Sequence, residues 1–193
     1  DLVAAQLDAA RLRAALAGTN DPRAAFNPPD DAPPELIQMH RRFLVSQTAE
    51  QNAKLAAIDR QVAQKEAERA TIRASIDKLK AIIPPLEERV EIRKQLFNKE
   101  LGSKLLYLSE LQELVGQRQE IQVQGSRYGE TDAAIAALIE TRSKTVAEYE
   151  RGLFDELAKA EQKAAGLAQD VIKAEQRTSL QKLTAPVDGV VQQ

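Results

Sequence analysis

A single histidine, His40, stands beside Arg41 and Arg42 in a chain of 193 residues that has no cysteine. Imidazole is the side chain best suited to proton transfer near neutral pH and to zinc ligation. A triad needs a nucleophile and an orienting acid around it, and a metal needs further ligands. Neither set can be assembled around His40, so the sequence assigns it to the surface and gives it no chemistry. Carboxylates abound, as in Glu87-Glu88 and Asp30-Asp31, but solvated helices carry such groups for solubility. Without cysteine there is no disulfide, thiolate metal site or thiol nucleophile. Neither a GxGxxG nor a GxxxxGK[ST] phosphate loop occurs. The expectation is a protein with no catalytic residues, no cofactor and no metal, whose work is mechanical.

The composition points the same way, with 29% charged, 43% hydrophobic and only 4% aromatic residues, and no Trp. The apolar fraction is mostly Ala, Leu, Ile and Val among Gln, Glu, Lys and Arg, which suits long helices better than a thick layered core. A net charge of −2 lacks the basic surplus of a nucleic-acid binder. No apolar run of about 18 residues and no export-signal pattern is present. The chain opens in helix-like sequence and closes after a strand-like start, and is expected to be an excised fragment.

Those helices can be placed. Residues 1–17 carry Leu2, Val3, Leu7, Leu12 and Leu16 and form one short helix, stopped by Gly18, Asn20, Asp21 and Pro22. Residues 18–34 hold Pro22, Pro28, Pro29, Pro33 and Pro34 and are expected to be irregular. A first long helix spans 35–98, with a heptad seam of Leu55, Val62, Arg69, Ile76, Ile83, Val90 and Phe97 alternating with Ile58, Lys65, Ile72, Leu79, Leu86 and Arg93. Pro84 and Pro85 predict a bend or local loosening that pushes Ile83 from helical dihedrals. Residues 99–102 form a tip turn, Gly102 supplying a left-handed stop and Ser103 a cap for the next helix.

The second long helix spans 103–181. Its seam series are Tyr107, Leu114, Ile121, Tyr128, Ile135, Arg142 and Tyr149, and Leu111, Arg118, Gly125, Asp132, Ile139, Val146 and Leu153. The tyrosines at this spacing are expected in the seam with their hydroxyls at its edge. Gly125 and Gly129 either permit a close approach or are tolerated weak points.

Facing positions of an antiparallel pair have residue numbers that add to a constant, twice the position of the turn. Val90 with Leu111, Val62 with Ile139 and Leu55 with Val146 each add to 201. Leu86 with Leu114, Leu79 with Ile121 and Ile72 with Tyr128 each add to 200. Both place the reversal between Glu100 and Leu101. The same register sets Asp132 against Arg69, an expected register-fixing pair. Arg93 and Lys65 are expected to snorkel. Beyond Tyr149 the seam steps through Leu153, Leu157, Ala160, Ala164, Leu167, Val171, Ala174 and Thr178 with a stutter. The short first helix is expected to stack below the first long helix and cover residues 167 to about 182. At about 1.5 Å per residue the hairpin would be roughly 115 Å long.

The fold class expected is therefore all-α: an elongated antiparallel coiled-coil hairpin with a short extra helix at its base. Residues 182–193, with Leu183-Thr-Ala-Pro-Val-Asp-Gly-Val-Val191, add a β-strand fragment of a small β-domain.

A long hairpin followed by "LTAPVDGVV" resembles the HlyD-type membrane fusion proteins, the periplasmic adaptors. There the hairpin interrupts a lipoyl-like domain, and this motif is similar to the strand opening its second half. The resemblance covers the whole chain, including the initial "ARLRAALAG" helix and the Pro-rich break. It implies a periplasmic subunit, usually in a hexamer and anchored in the inner membrane by a segment outside this chain. It further implies an inner-membrane ABC transporter and a TolC-like outer-membrane channel as partners, with no nucleic acid.

The discontinuous first arm resembles adaptors of type I secretion, which export proteins; drug-efflux adaptors and a cytoplasmic coiled-coil scaffold are the alternatives. Related adaptors carry a tip pattern of Arg, Leu and Ser or Thr, onto which Leu96 and Ser103 map with a spacing of seven. Position 92 is Ile92, so the arginine is displaced to Arg93. Leu96, Gly102, Ser103 and Arg93 are the docking residues that the resemblance implies.

Overall fold

The computed structural model describes residues 2–19 and 21–181. Four helices follow in chain order: α1 (Leu2–Leu16), α2 (Pro22–Ala25), α3 (Pro34–Asn98) and α4 (Lys104–Gln181). Among the described residues there is no strand, and the expected β fragment at 182–193 lies outside them. The contacts divide the chain into a base unit, residues 1–54 with 146–193, and a distal unit, residues 55–145.

In the base unit, α1 is tightly held. Leu7 and Leu44 are fully buried and Leu12 nearly so, and Leu7, Ala10, Ala14, Phe26, Ala32 and Leu44 form one core. Asp8 faces His40 at 3.8 Å, while Arg11 lies 4.4 Å above the Phe43 ring and donates to Gln47 Oε1 at 2.9 Å. The numbers rise together, so α1 runs parallel to the start of α3. A connection between parallel helices must travel back the length of one of them. Residues 21–33 do so: Asn27 to Asp30 share a recess with Gln6, Ala10 and Arg13, and Phe26 and Ala32 enter the core.

Three expectations are corrected in this unit. The Pro-rich stretch includes a helical turn, α2, because Asp21 caps it by accepting from the Arg23 amide and Pro22 needs no amide partner at the first position. His40 is buried at 8% exposure, since α1 covers it. Helix α1 does not cover the end of α4. It lies beside the α4 segment at Glu161, whose carboxylate accepts from Arg13 Nε at 3.1 Å and Nη2 at 2.6 Å. On α4, Leu153 is buried and Leu157, Ala160, Ala164 and Leu167 are half-buried, whereas Val171, Ala174 and Thr178 are exposed.

The distal unit is an antiparallel pair. In its α3 arm the heptad residues from Leu55 to Phe97 are buried or half-buried, Arg93 alone being exposed. Leu86, Val90 and Leu114 form the tightest cluster, flanked by Ile82, Ile83, Tyr107 and Leu111. Helix α3 continues through Pro84 and Pro85. Both prolines are exposed and Ile83 stays helical, held in the cluster against the preference imposed by the following proline.

The α4 arm corrects part of the expected seam: Arg142 of the Tyr107 series is exposed, and so is the middle of the Leu111 series. Arg118, Gly125, Asp132 and Ile139 are exposed, Ile139 at 54%. Leu111, Val146 and Leu153 of that series are covered as expected, and between Leu111 and Val146 the covered positions lie one residue earlier, so that the seam also takes Glu110, Gln117, Gln124, Thr131, Leu138 and Thr145. Set in turn against Val90, Ile83, Ile76, Arg69, Val62 and Leu55 of α3, these positions bring the pairing constant to a single value of 200. Threonine fits there because its hydroxyl can bond within its own helix: Thr131 Oγ1 donates to the Arg127 carbonyl at 2.9 Å and Thr145 Oγ1 to that of Thr141 at 2.8 Å. The methyl groups are then free to face the partner.

Candidate docking tip

The turn between α3 and α4 is closed by two backbone hydrogen bonds. Leu101 N–H donates to the Leu96 carbonyl at 2.9 Å and Glu100 N–H to that of Phe97 at 3.0 Å. This nested pair is a Schellman cap, which requires a left-handed residue just beyond the helix. That residue is Glu100, with φ 60°, and not Gly102 as expected. Glycine serves a different need at 102: a Cβ there would stand 3.0 Å from Leu96 Cβ and 3.2 Å from the Phe97 amide nitrogen. Ser103 precedes α4, and its carbonyl accepts the Tyr107 N–H at 3.2 Å.

Below the turn, Phe97 and Tyr107 stack with centroids 6.1 Å apart and planes 7° from parallel. Arg89 Nη2 lies 2.6 Å from Glu110 Oε2, and Arg118 donates to Glu87. Glu110 is largely covered, its side chain only 14% exposed, and this carboxylate raises the pKa of Arg89. These contacts fix the last turns against each other and leave the reversal itself to the solvent.

The sequence-derived tip residues are therefore brought together in two different roles. Leu96 is half-buried and packs at Gly102, so this pair shapes the turn. Ser103 and Arg93 are exposed. Around them stands an apolar surface that the heptads left out: Leu101 at 75% exposure, Leu105 at 77%, Leu106 at 49%, Leu108 at 46% and Ile92 at 51%. A signal for it exists in the sequence, because three leucines within residues 105–108 cannot all enter one seam. Its leucines can offer only apolar contact.

Arg69 and Asp132 meet farther down the same unit, Nη1 to Oδ1 at 2.5 Å. Their side chains are 33% and 57% exposed, which places the pair at the edge of the seam beside buried Thr131. The hydrogen bond to Asp132 is the main cause that raises the pKa of Arg69. Among the described residues no His, Cys, Asp or Glu group is arranged to hold a metal ion, and no helix is long and apolar enough to cross a membrane.

Comparison with known proteins adds a family and a fold. No curated protein matches the chain. Among solved structures, the crystal structure of the soluble domain of LipC, a membrane fusion protein of a type I secretion system, superposes with a TM-score of 0.86. It is 16% identical, and the match covers 97% of this chain and 90% of that one. At that identity the likeness concerns the fold. Residues 1–177 match the family described as AprE, long α-helical hairpin. With its parallel α1, its Schellman-capped reversal and its two long arms, the chain belongs to the AprE long α-helical hairpin family.

Proposed function

We propose that this chain is the hairpin of a periplasmic adaptor in type I secretion, working with an inner-membrane ABC transporter and docking by its tip on a TolC-like outer-membrane channel. The observation that carries the reading is the exposed apolar tip: Leu101 and Leu105 are about three-quarters solvent-accessible on a turn closed by its own backbone hydrogen bonds. A rigid, capped turn presenting leucines has a surface to bury and little conformational freedom to lose on docking. Ser103 and Arg93 lie beside those leucines as polar contacts, and Leu96 and Gly102 hold the turn in shape.

Membership of the hairpin family and the fold shared with a type I secretion fusion protein support the adaptor role. The adaptor acts in the periplasm as part of a hexamer, anchored to the inner membrane through a segment outside this chain. It is a spacer and not an enzyme.

The test is export. Charge introduced at the tip, as in Leu101→Asp with Leu105→Asp in the complete adaptor, should abolish secretion of the cognate cargo while helicity and adaptor abundance are unchanged. Secretion at the unaltered level would count against tip docking.

A further inference from the structure

Three arginines of the base unit converge where nothing neutralises them. Arg23, on the single turn α2, and Arg41 and Arg42, on α3, line a recess of about 500 Å³ with Gln38 and Ala24. Among the described residues no carboxylate lies within ion-pair distance of any of the three, although the same unit pairs Arg11 with Asp8 and Arg13 with Glu161. Arg41 is half-buried, and its Nε is shielded from solvent without a hydrogen-bond partner. A covered donor without an acceptor carries a cost that a ligand oxygen would remove.

The recess continues into a second of about 450 Å³ that shares Gln38 and Arg42 and is lined otherwise by Pro34, Glu35 and Met39. Its one acid, Glu35, sits in that second recess and does not line the first. Met39 is 54% exposed. The two recesses together offer guanidinium forks at one end and apolar side chains at the other.

From this arrangement we infer that the base unit binds a phosphate ester, its phosphate held by Arg23, Arg41 and Arg42 and its organic part lying over Pro34 and Met39. Guanidinium groups approaching from two helices suit a tetrahedral anion, whose oxygens can accept from several forks at once. A planar carboxylate would engage one fork and leave the others uncompensated. The recess is also larger than inorganic phosphate needs, which is why the ligand is assigned an organic part. Such a group can come from a soluble ester or from a phospholipid head group.

The test titrates the 193-residue chain with glycerol phosphate while following arginine Nε–Hε resonances, at low ionic strength where screening is weak. The Arg41 signal should shift and saturate. Arg41→Met and Arg23→Met should each weaken binding at least roughly tenfold, the loss of a charge-assisted hydrogen bond. Arg41→Lys, which keeps the stem and the charge, should weaken it less than Arg41→Met does. Arg151→Met, a change at an exposed arginine of α4, should leave affinity unchanged, and circular dichroism should show all four variants helical. Sedimentation with phosphatidylglycerol vesicles, absent with phosphatidylcholine and lost in Arg41→Met, would assign the phosphate to lipid. Saturable glycerol phosphate binding without vesicle binding would assign it to a soluble ester. Shifts that never saturate, or equal affinity in Arg41→Met and the unaltered chain, would overturn the site.

Discussion

Gly102 lies so close to Leu96 that a Cβ on it would come within 3.0 Å of the leucine's own, while its neighbour Glu100 carries the left-handed backbone of the turn. Two requirements that one glycine is often asked to meet are here divided between two residues.

Replacing Glu100 by Gly should therefore stabilise the distal unit by about 1 kcal/mol, the usual cost of a non-glycine residue in that conformation. Gly102→Ala should destabilise it by about 1–3 kcal/mol through overpacking. Thermal unfolding of both variants separates the roles, and a neutral Gly102→Ala would disprove the close approach.

Leu86 is 3% exposed and Ile139 54%, so the apolar seam should respond to one and ignore the other. Leu86→Ala is expected to cost about 2–5 kcal/mol, and Ile139→Ala to stay within about 0.5 kcal/mol. Leu138→Ala should cost more than Ile139→Ala. Equal effects at 138 and 139 would favour the phase that hydropathy alone suggests for the second arm.

Gly125 and Gly129 sit in α4 with nothing within 4 Å of where a Cβ would stand. No close approach among the described residues requires them. Gly129→Ala should raise stability by about 0.5–1 kcal/mol from helix propensity alone, as measured by denaturant unfolding.

Burial lowers the His40 pKa from its ordinary 6.5, with Asp8 opposing and Arg11 reinforcing the shift. The unfolded chain then binds a proton that the folded one refuses. The stability tied to neutral His40 is complete above about pH 6.5 and falls as pH drops from there toward the lowered folded value. His40→Gln should flatten that part of the stability profile, and an unchanged slope would remove His40 from the account.

The same residue shows where structure is legible in the sequence and where it is not. Every apolar seam position from Leu55 to Phe97 can be read from spacing, because one stripe of a helix has one destination. The second arm misleads only in its middle, because the covered Leu111, Val146 and Leu153 share a spacing of multiples of seven with the exposed Ile139, whereas between Leu111 and Ile139 the seam takes Gln117, Gln124 and Thr131. Polar residues at covered positions give no hydropathy signal. His40 is hidden differently, since its cover arrives from α1 across an irregular stretch whose path no local pattern encodes. At the tip, the position of the reversal is readable and the residue with positive φ is not. The exposed leucines have a signal in their crowding.

A single pairing constant has a consequence for how such a hairpin can change over generations. Adding residues to one arm of the distal unit would slide every pair beyond the insertion, turning Leu86 or Val90 away from their partners. Only matched additions preserve the seam, seven residues in each arm at equal distance from Glu100. Reach would then evolve in increments of about 10 Å, as on a ruler graduated in heptads.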